Sequence, residues 1–241
     1  AKIGDKEVVV WMNCLITNTR HLDATGGREA GWKFKGSAKK CVKKGFGHTL
    51  ECPYWEEYLR NLSTDVRMRV TEEVVKKFNS NGVPFKQIFL AGHSCGAWNA
   101  IRYAAFKKEL FGGTIAFNPN CWPREENNPI RQYLVDELKT AKHANSLVFA
   151  SPDDLVHDWK ATSTDLKWIA DIPGVKWFEY EKGVKVNGKQ CKWNDGKKVK
   201  NGHLIVFAKC SWPHQELVLE FIKESLVNDK IITVDSKIFR K

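Results

Sequence analysis

The chain has 241 residues, 42% of them apolar and 28% charged, with a formal net charge of +11. That composition supports a folded core and argues against a disordered tail or a fibrous repeat. No run of apolar residues reaches the length of a membrane-crossing helix, and the positive field favours anionic partners over neutral or basic ones.

In chain order, Glu7 to Met12 reads EVVVWM, an apolar, β-branched run that predicts a buried strand. From Asn13 to about Tyr54 the sequence is rich in Gly and Lys and lacks periodicity, which predicts a long basic loop region along one edge of the domain. A helix is expected from Thr71 to about Asn79, with Val70, Val74, Val75 and Phe78 on one face and Asn81-Gly82 as its stop. Strands follow at Gln87 to Ala91, Gly113 to Asn118, Ser146 to Ala150 and Val175 to Tyr180. Between them lie helical stretches at Ala97 to about Phe106, Pro129 to about Lys142 and Asp165 to Ala170. A closing helix is expected over Leu217 to Val227, with a last strand at Ile231 to Val234. Short apolar strands alternating with helices predict an α/β fold: a mostly parallel central sheet flanked by helices. With no repeat and no linker, one domain over residues 1–241 is the expected organisation.

The chemistry-bearing stretch is Ile88 to Trp98, IFLAGHSCGAW. Gly92, Ser94 and Gly96 form G-x-S-x-G, preceded by a predicted strand and followed by a helix of small residues. A sharp strand-to-helix turn of this kind pushes the serine out at the carboxyl end of a sheet. Neighbouring N–H groups at the helix start favour negative charge there. A serine hydroxyl needs a base to take its proton and an acid to orient that base. Candidates follow in order: Ser151-Pro152-Asp153-Asp154-Leu155-Val156 after one strand, and Asn201-Gly202-His203-Leu204 after the next.

With these pieces the chain, over roughly residues 85–228, resembles the α/β-hydrolase superfamily, in particular its dienelactone hydrolase and esterase-like serine hydrolases. The resemblance implies Ser94 as nucleophile, His203 as base and Asp153 as the orienting acid, with Asp154 as the alternative. It also implies an oxyanion hole formed by the Cys95 N–H and a second N–H from Asn13 or Cys14. The family's frequent His-Gly pair is replaced by Asn13-Cys14-Leu15, which leaves the second donor open. His214 is a rival base. His93 reads as a packing residue or one that supports the site from behind, His157 as a surface residue, and Cys95 and Cys121 as neighbours at the same sheet end.

The expected reaction is ester hydrolysis through an acyl-enzyme, on a small or polymer-attached and possibly anionic substrate. Peptidase, thioesterase or acyltransferase chemistry with the same residues, or a non-catalytic binding module, are the alternatives. No metal-ligand spacing and no phosphate-cradling loop occurs, so no cofactor or metal is expected. Nucleic acid is an unfavoured partner, since no Arg-rich stripe or RNA-binding signature is present.

Seven cysteines point to an oxidising setting, secreted or periplasmic, with a reduced cytoplasm as the alternative. Cys41 with Cys52, and Cys191 with Cys210, are the expected pairs. Residues 181–202 read as a hairpin insert, with turns at Asn187-Gly188 and Asn194-Asp195-Gly196. Lysines gather at 33, 35, 39, 40, 43 and 44, and again at 182, 185, 189, 192, 197, 198 and 200. They form either solvated faces or a platform for an anion.

Overall fold

A computed structural model describes residues 63–120, 129–155 and 163–226, together with short strands at 2–3, 6–7 and 9–13. Strands β1 (Lys2–Ile3) and β2 (Lys6–Glu7) form a small antiparallel pair. The central sheet holds β3 (Val9–Asn13), β4 (Ile88–His93), β5 (Gly113–Phe117), β6 (Ser146–Ala150) and β7 (Val175–Glu179). All are parallel, and they lie side by side in sequence order.

Parallel neighbours need crossovers. These are α1 (Ser63–Ser80) on the β3–β4 connection, α2 (Cys95–Phe106) between β4 and β5, and α3 (Pro129–Lys139) between β5 and β6. A 3₁₀ segment over Ser163–Asp171 joins β6 to β7. After β7 a hairpin of β8 (Lys185–Val186) and β9 (Lys189–Gln190) precedes two 3₁₀ segments, Gly202–Phe207 and Lys209–His214. Helix α4 (Gln215–Ser225) follows.

Strands β4 and β6 are buried along their whole length, which is why they read as continuous apolar runs instead of alternating ones. Side chains still alternate between two faces. Phe89, Ala91, Ile115, Leu147 and Phe149 pack under α4 and the hairpin, with Phe221, Val184, Val186 and Val199. Ala116 and Val148 pack against α2, α3 and the 3₁₀ segment, with Trp98, Ile101, Leu134 and Ile169, while Ile88 and Leu90 meet Val75 and Tyr103 of α1 and α2.

The strands stand where the apolar runs placed them. Helix α1 begins eight residues before the expected Thr71, and its inward face differs: Val70 is exposed, whereas Thr71 and Val75 are buried. Tyr103 ties α1 to α2 by donating its hydroxyl hydrogen to the Met68 carbonyl. Gly82 at φ +92° ends the helix in the turn expected of Asn81-Gly82. The segment expected as a helix over 165–170 is 3₁₀. The long basic loop, Cys14, Cys41, Cys52, Cys121, His157 and the expected strand at 231–234 lie outside the described residues.

Candidate active site

Ser94 stands between β4 and α2 at φ 58°, ψ −125°. A non-glycine residue held at positive φ costs about 1–3 kcal/mol and persists only where its surroundings enforce it. Here its N–H donates to the Phe117 carbonyl at 3.0 Å, and its own carbonyl accepts the Ala97 and Trp98 N–H groups at 2.9 and 3.1 Å. The glycines let α2 close onto the strand: a Cβ on Gly92 would lie 2.1 Å from the Gly96 carbonyl oxygen. The turn thus places the serine at the carboxyl end of β4 and at the positive end of α2. Its hydroxyl donates to the Asn120 carbonyl at 3.1 Å.

The loops after β6 and β7 meet beside it. His203, 8% exposed, places Nδ1 2.6 Å from Oδ1 of the fully buried Asp154. With Nδ1–H donating to that carboxylate, Nε2 keeps its lone pair and can accept a proton. The other oxygen of Asp154, Oδ2, is buried with no hydrogen-bond partner among the described residues, so His203 is the polar group that this carboxylate faces.

The expected acid, Asp153, does not reach His203. Its carboxylate turns the other way and accepts the N–H groups of Gly183 and Val184 at 2.6 and 3.0 Å. The two neighbours sit in a tight turn that sends their side chains apart. Asp154 goes inward to the histidine and Asp153 outward to the hairpin. The Asp153 carbonyl still serves the site, because it accepts the Gly202 N–H at 2.7 Å.

Asn201 joins the same two loops. Its Oδ1 accepts from Leu155 N–H at 3.1 Å and His203 N–H at 2.9 Å, and its amide donates to the Leu155 carbonyl. The loops pack closely enough that a Cβ on Gly202 would lie 2.1 Å from Ser151 Oγ.

Two further residues hold His203 from the serine side. His93 donates its Nε2–H to the His203 carbonyl at 2.6 Å, and the two rings lie 4.4 Å apart. Burial, with His203 nearby, lowers the pKa of His93 to about 4, so it is a neutral donor at ordinary pH. Asn118, fully buried at φ 46° after β5, donates to the Gly202 and His203 carbonyls at 3.0 and 3.2 Å. The sequence marks His93 as a packing residue or one that supports the site from behind, and gives no role to Asn118, Asn120 or Asn201. An asparagine directly after a strand and just before a proline, as in Asn118-Pro119, is the one local hint of a special backbone position.

Cys95 is the first residue of α2 and is disulfide-bonded. Asn13 ends β3 in register with Gly92, so the β3 terminus lies beside the serine turn. Cys14 follows it beyond the described residues. The rival base, His214, caps α4 with its ring against Phe178 (4.5 Å) and Tyr180 (5.2 Å), and burial lowers its pKa. It belongs to an aromatic cluster, whereas Asp154 pairs with His203. Cys191 and Cys210 form the expected disulfide. Among the described residues no group of His, Cys, Asp and Glu could hold a metal ion, and no helix is long and apolar enough to cross a membrane.

Together, a parallel α/β sheet, a strained serine at one strand end and a buried pair of Asp154, just after β6, with His203, beyond the hairpin after β7, define the molecule. No family model and no curated protein matches the chain. Solved structures that it resembles include a thermostable esterase, at 21% identity and TM-score 0.41, covering 65% of this chain and 36% of that one. Another is a variant of SOBER1 from Arabidopsis thaliana, at 13% and 0.42, covering 69% and 66%. A third is the S-formylglutathione hydrolase FrmB from Staphylococcus aureus, at 13% and 0.31, covering 59% and 52%. The chain therefore spans about a third of the esterase's length and just under two thirds of that of SOBER1.

Proposed function

We propose that the chain is a serine hydrolase of the α/β-hydrolase type that cleaves esters. The carrying observation is the coincidence of Ser94, in its strained turn at the carboxyl end of β4, with the buried His203–Asp154 pair in the segments that follow β6 and β7. In this reading the Ser94 hydroxyl swings from the Asn120 carbonyl toward Nε2 of His203 and attacks the ester carbonyl as His203 takes its proton. Asp154 holds the ring through Nδ1–H and stabilises its cationic form. The Cys95 N–H and a second N–H at Asn13 or Cys14 bind the developing oxyanion, where one such donor contributes about 3 kcal/mol. His203 returns the proton to the leaving alcohol, and water repeats the cycle on the acyl-enzyme. No step calls for a cofactor. The Cys191–Cys210 bond fits an oxidising compartment, so a secreted or periplasmic location is part of the proposal.

The test is labelling with a fluorophosphonate, alongside turnover of p-nitrophenyl acetate. Wild-type protein labels at Ser94 and turns over the ester; Ser94→Ala and His203→Ala do neither. A folded wild type that neither labels nor hydrolyses leaves the fold as a binding module.

A further inference from the structure

Residues 181–200 carry seven lysines against two acids, Glu181 and Asp195. All seven lysines are exposed. Both acids are engaged inside the hairpin. The Glu181 carboxylate accepts the Gly188 N–H at 3.1 and 3.0 Å, and Asp195 pairs with the Lys197 ammonium at 2.9 Å and accepts its N–H at 3.0 Å. The field outside the hairpin is therefore strongly positive.

The hairpin is also fixed to the proposed catalytic loops. Asp153, next to the acid Asp154, clamps Gly183 and Val184. The Cys191–Cys210 bond fastens its middle to the segment just after the His203 loop. Val184, Val186, Cys191 and Val199 are buried in the same core cluster as Ile205 and Ala208. Lys200 stands three residues before His203. A basic surface held this firmly to both loops travels with the site.

Its composition limits what it can bind. The seven cations are spread over the hairpin and none is an arginine, so there is no planar fork of the kind that grips one phosphate in two hydrogen bonds. Its only aromatic residue, Trp193, is half-buried against the core, so the hairpin offers no second ring on which successive bases could stack. Its valines are buried, and none of the large exposed apolar side chains lies within it, so nothing there would enter a bilayer. What remains is a set of exposed, flexible point charges suited to a chain of spaced carboxylates.

We propose that this hairpin is a substrate-docking arm and that the substrate is a carboxylated polysaccharide carrying O-acyl groups, an inference that rests on the serine hydrolase reading. The polymer's carboxylates lie along the lysines while one acyl group enters the site. That acyl group passes to Ser94 Oγ as the polymer hydroxyl leaves with the proton held by His203. Water then releases it as a carboxylic acid.

The experiment compares wild type with the triple variant Lys185→Glu/Lys189→Glu/Lys192→Glu, whose substitutions are all on exposed side chains. The substrates are O-acetylated polygalacturonate, acetylated glucomannan as a neutral polymer, and p-nitrophenyl acetate. Binding of unacetylated polygalacturonate to the Ser94→Ala protein, with and without the triple change, is followed separately.

The expected result is a loss of roughly tenfold or more in kcat/KM on the charged polymer, carried by KM, with p-nitrophenyl acetate unchanged. Salt at roughly 0.5 M should produce the same loss in wild type and little in the variant. Equal turnover of charged and neutral polymers, no turnover of either, or a triple variant as good as wild type on the charged one, overturns the proposal. So does tighter lysine-dependent binding of a single-stranded oligonucleotide or an anionic phosphatidylserine vesicle than of polygalacturonate. Absent labelling and absent p-nitrophenyl acetate turnover would overturn the hydrolase reading instead, while polygalacturonate binding would still report on the arm.

Discussion

Asp153 and Asp154 are chemically identical and adjacent, yet their side chains have opposite destinations, one on two backbone N–H groups of the hairpin and one on His203. Asp154→Asn should therefore lower kcat on p-nitrophenyl acetate by about 10³- to 10⁴-fold, because an amide favours the wrong histidine tautomer. Asp153→Asn, which keeps an acceptor for Gly183 and Val184, should stay within about threefold of wild type, since it breaks no contact to the reacting groups. A reversed ranking in steady-state kinetics would reassign the acid. The candidate serine and the acidic pair were legible because each directly follows a recognisable strand, and His203 as part of the Asn201-Gly202-His203 segment beyond the hairpin insert. The sequence did not carry the choice within the pair, since a turn's side-chain directions depend on tertiary contacts. His93 offers a second check. Its pKa is near 4 in the folded protein against 6.5 for the free side chain. Above pH about 6.5 both states are neutral and stability is full. As pH falls below that, the unfolded chain takes up a proton that the folded one refuses, so stability drops until about pH 4 and then levels, by about 3 kcal/mol in all. His93→Gln keeps an amide donor and cannot titrate. Urea unfolding at a series of pH values should show a shallower acid loss in the variant, and parallel curves would remove His93 as the cause.

Between elements, a bidentate ion pair joins α2 to α3. Arg102, 3% exposed, meets Glu137 through Nε–Oε2 at 2.7 Å and Nη2–Oε1 at 3.0 Å. Glu137→Ala removes a bidentate partner from a buried guanidinium and should cost about 3 kcal/mol in chemical unfolding. A loss below about 1 kcal/mol would mean that the pair behaves like a surface bridge. The strands themselves were legible because most are short apolar runs in a sheet covered on both faces, where the buried polar exceptions Thr114 and Ser146 bond to each other. Helix α1 was legible only in its second half. Its first turns, from Ser63 to Met68, mix charges with few apolar positions, so periodicity gave no signal there. The inward place of Thr71 and the outward place of Val70 follow from where Tyr103 and Val75 pack, which is tertiary information.

At the scale of the whole molecule, two kinds of order meet at the proposed site. The sheet and its helices bury large side chains on both faces and stand by packing. The hairpin of residues 181–200 has only two-residue strands, and so few ladder bonds are marginal alone. Its hold comes from Asp153, from its four buried side chains, and from the Cys191–Cys210 bond across 19 residues. A loop of that size contributes about 3 kcal/mol through the unfolded chain's lost freedom. Cys191→Ala/Cys210→Ala should lower the unfolding free energy by about that much. Intact mass with and without reductant would confirm that the wild-type bond is present. Because Cys210 follows the His203 loop by so few residues, the loss should not stay within the hairpin. The variant should also lose turnover of p-nitrophenyl acetate at temperatures where the sheet is still folded by circular dichroism. If activity and sheet melt together in both proteins, the hairpin and the His203 loop are one cooperative unit with the core, and the bond stabilises the whole fold instead of the site alone.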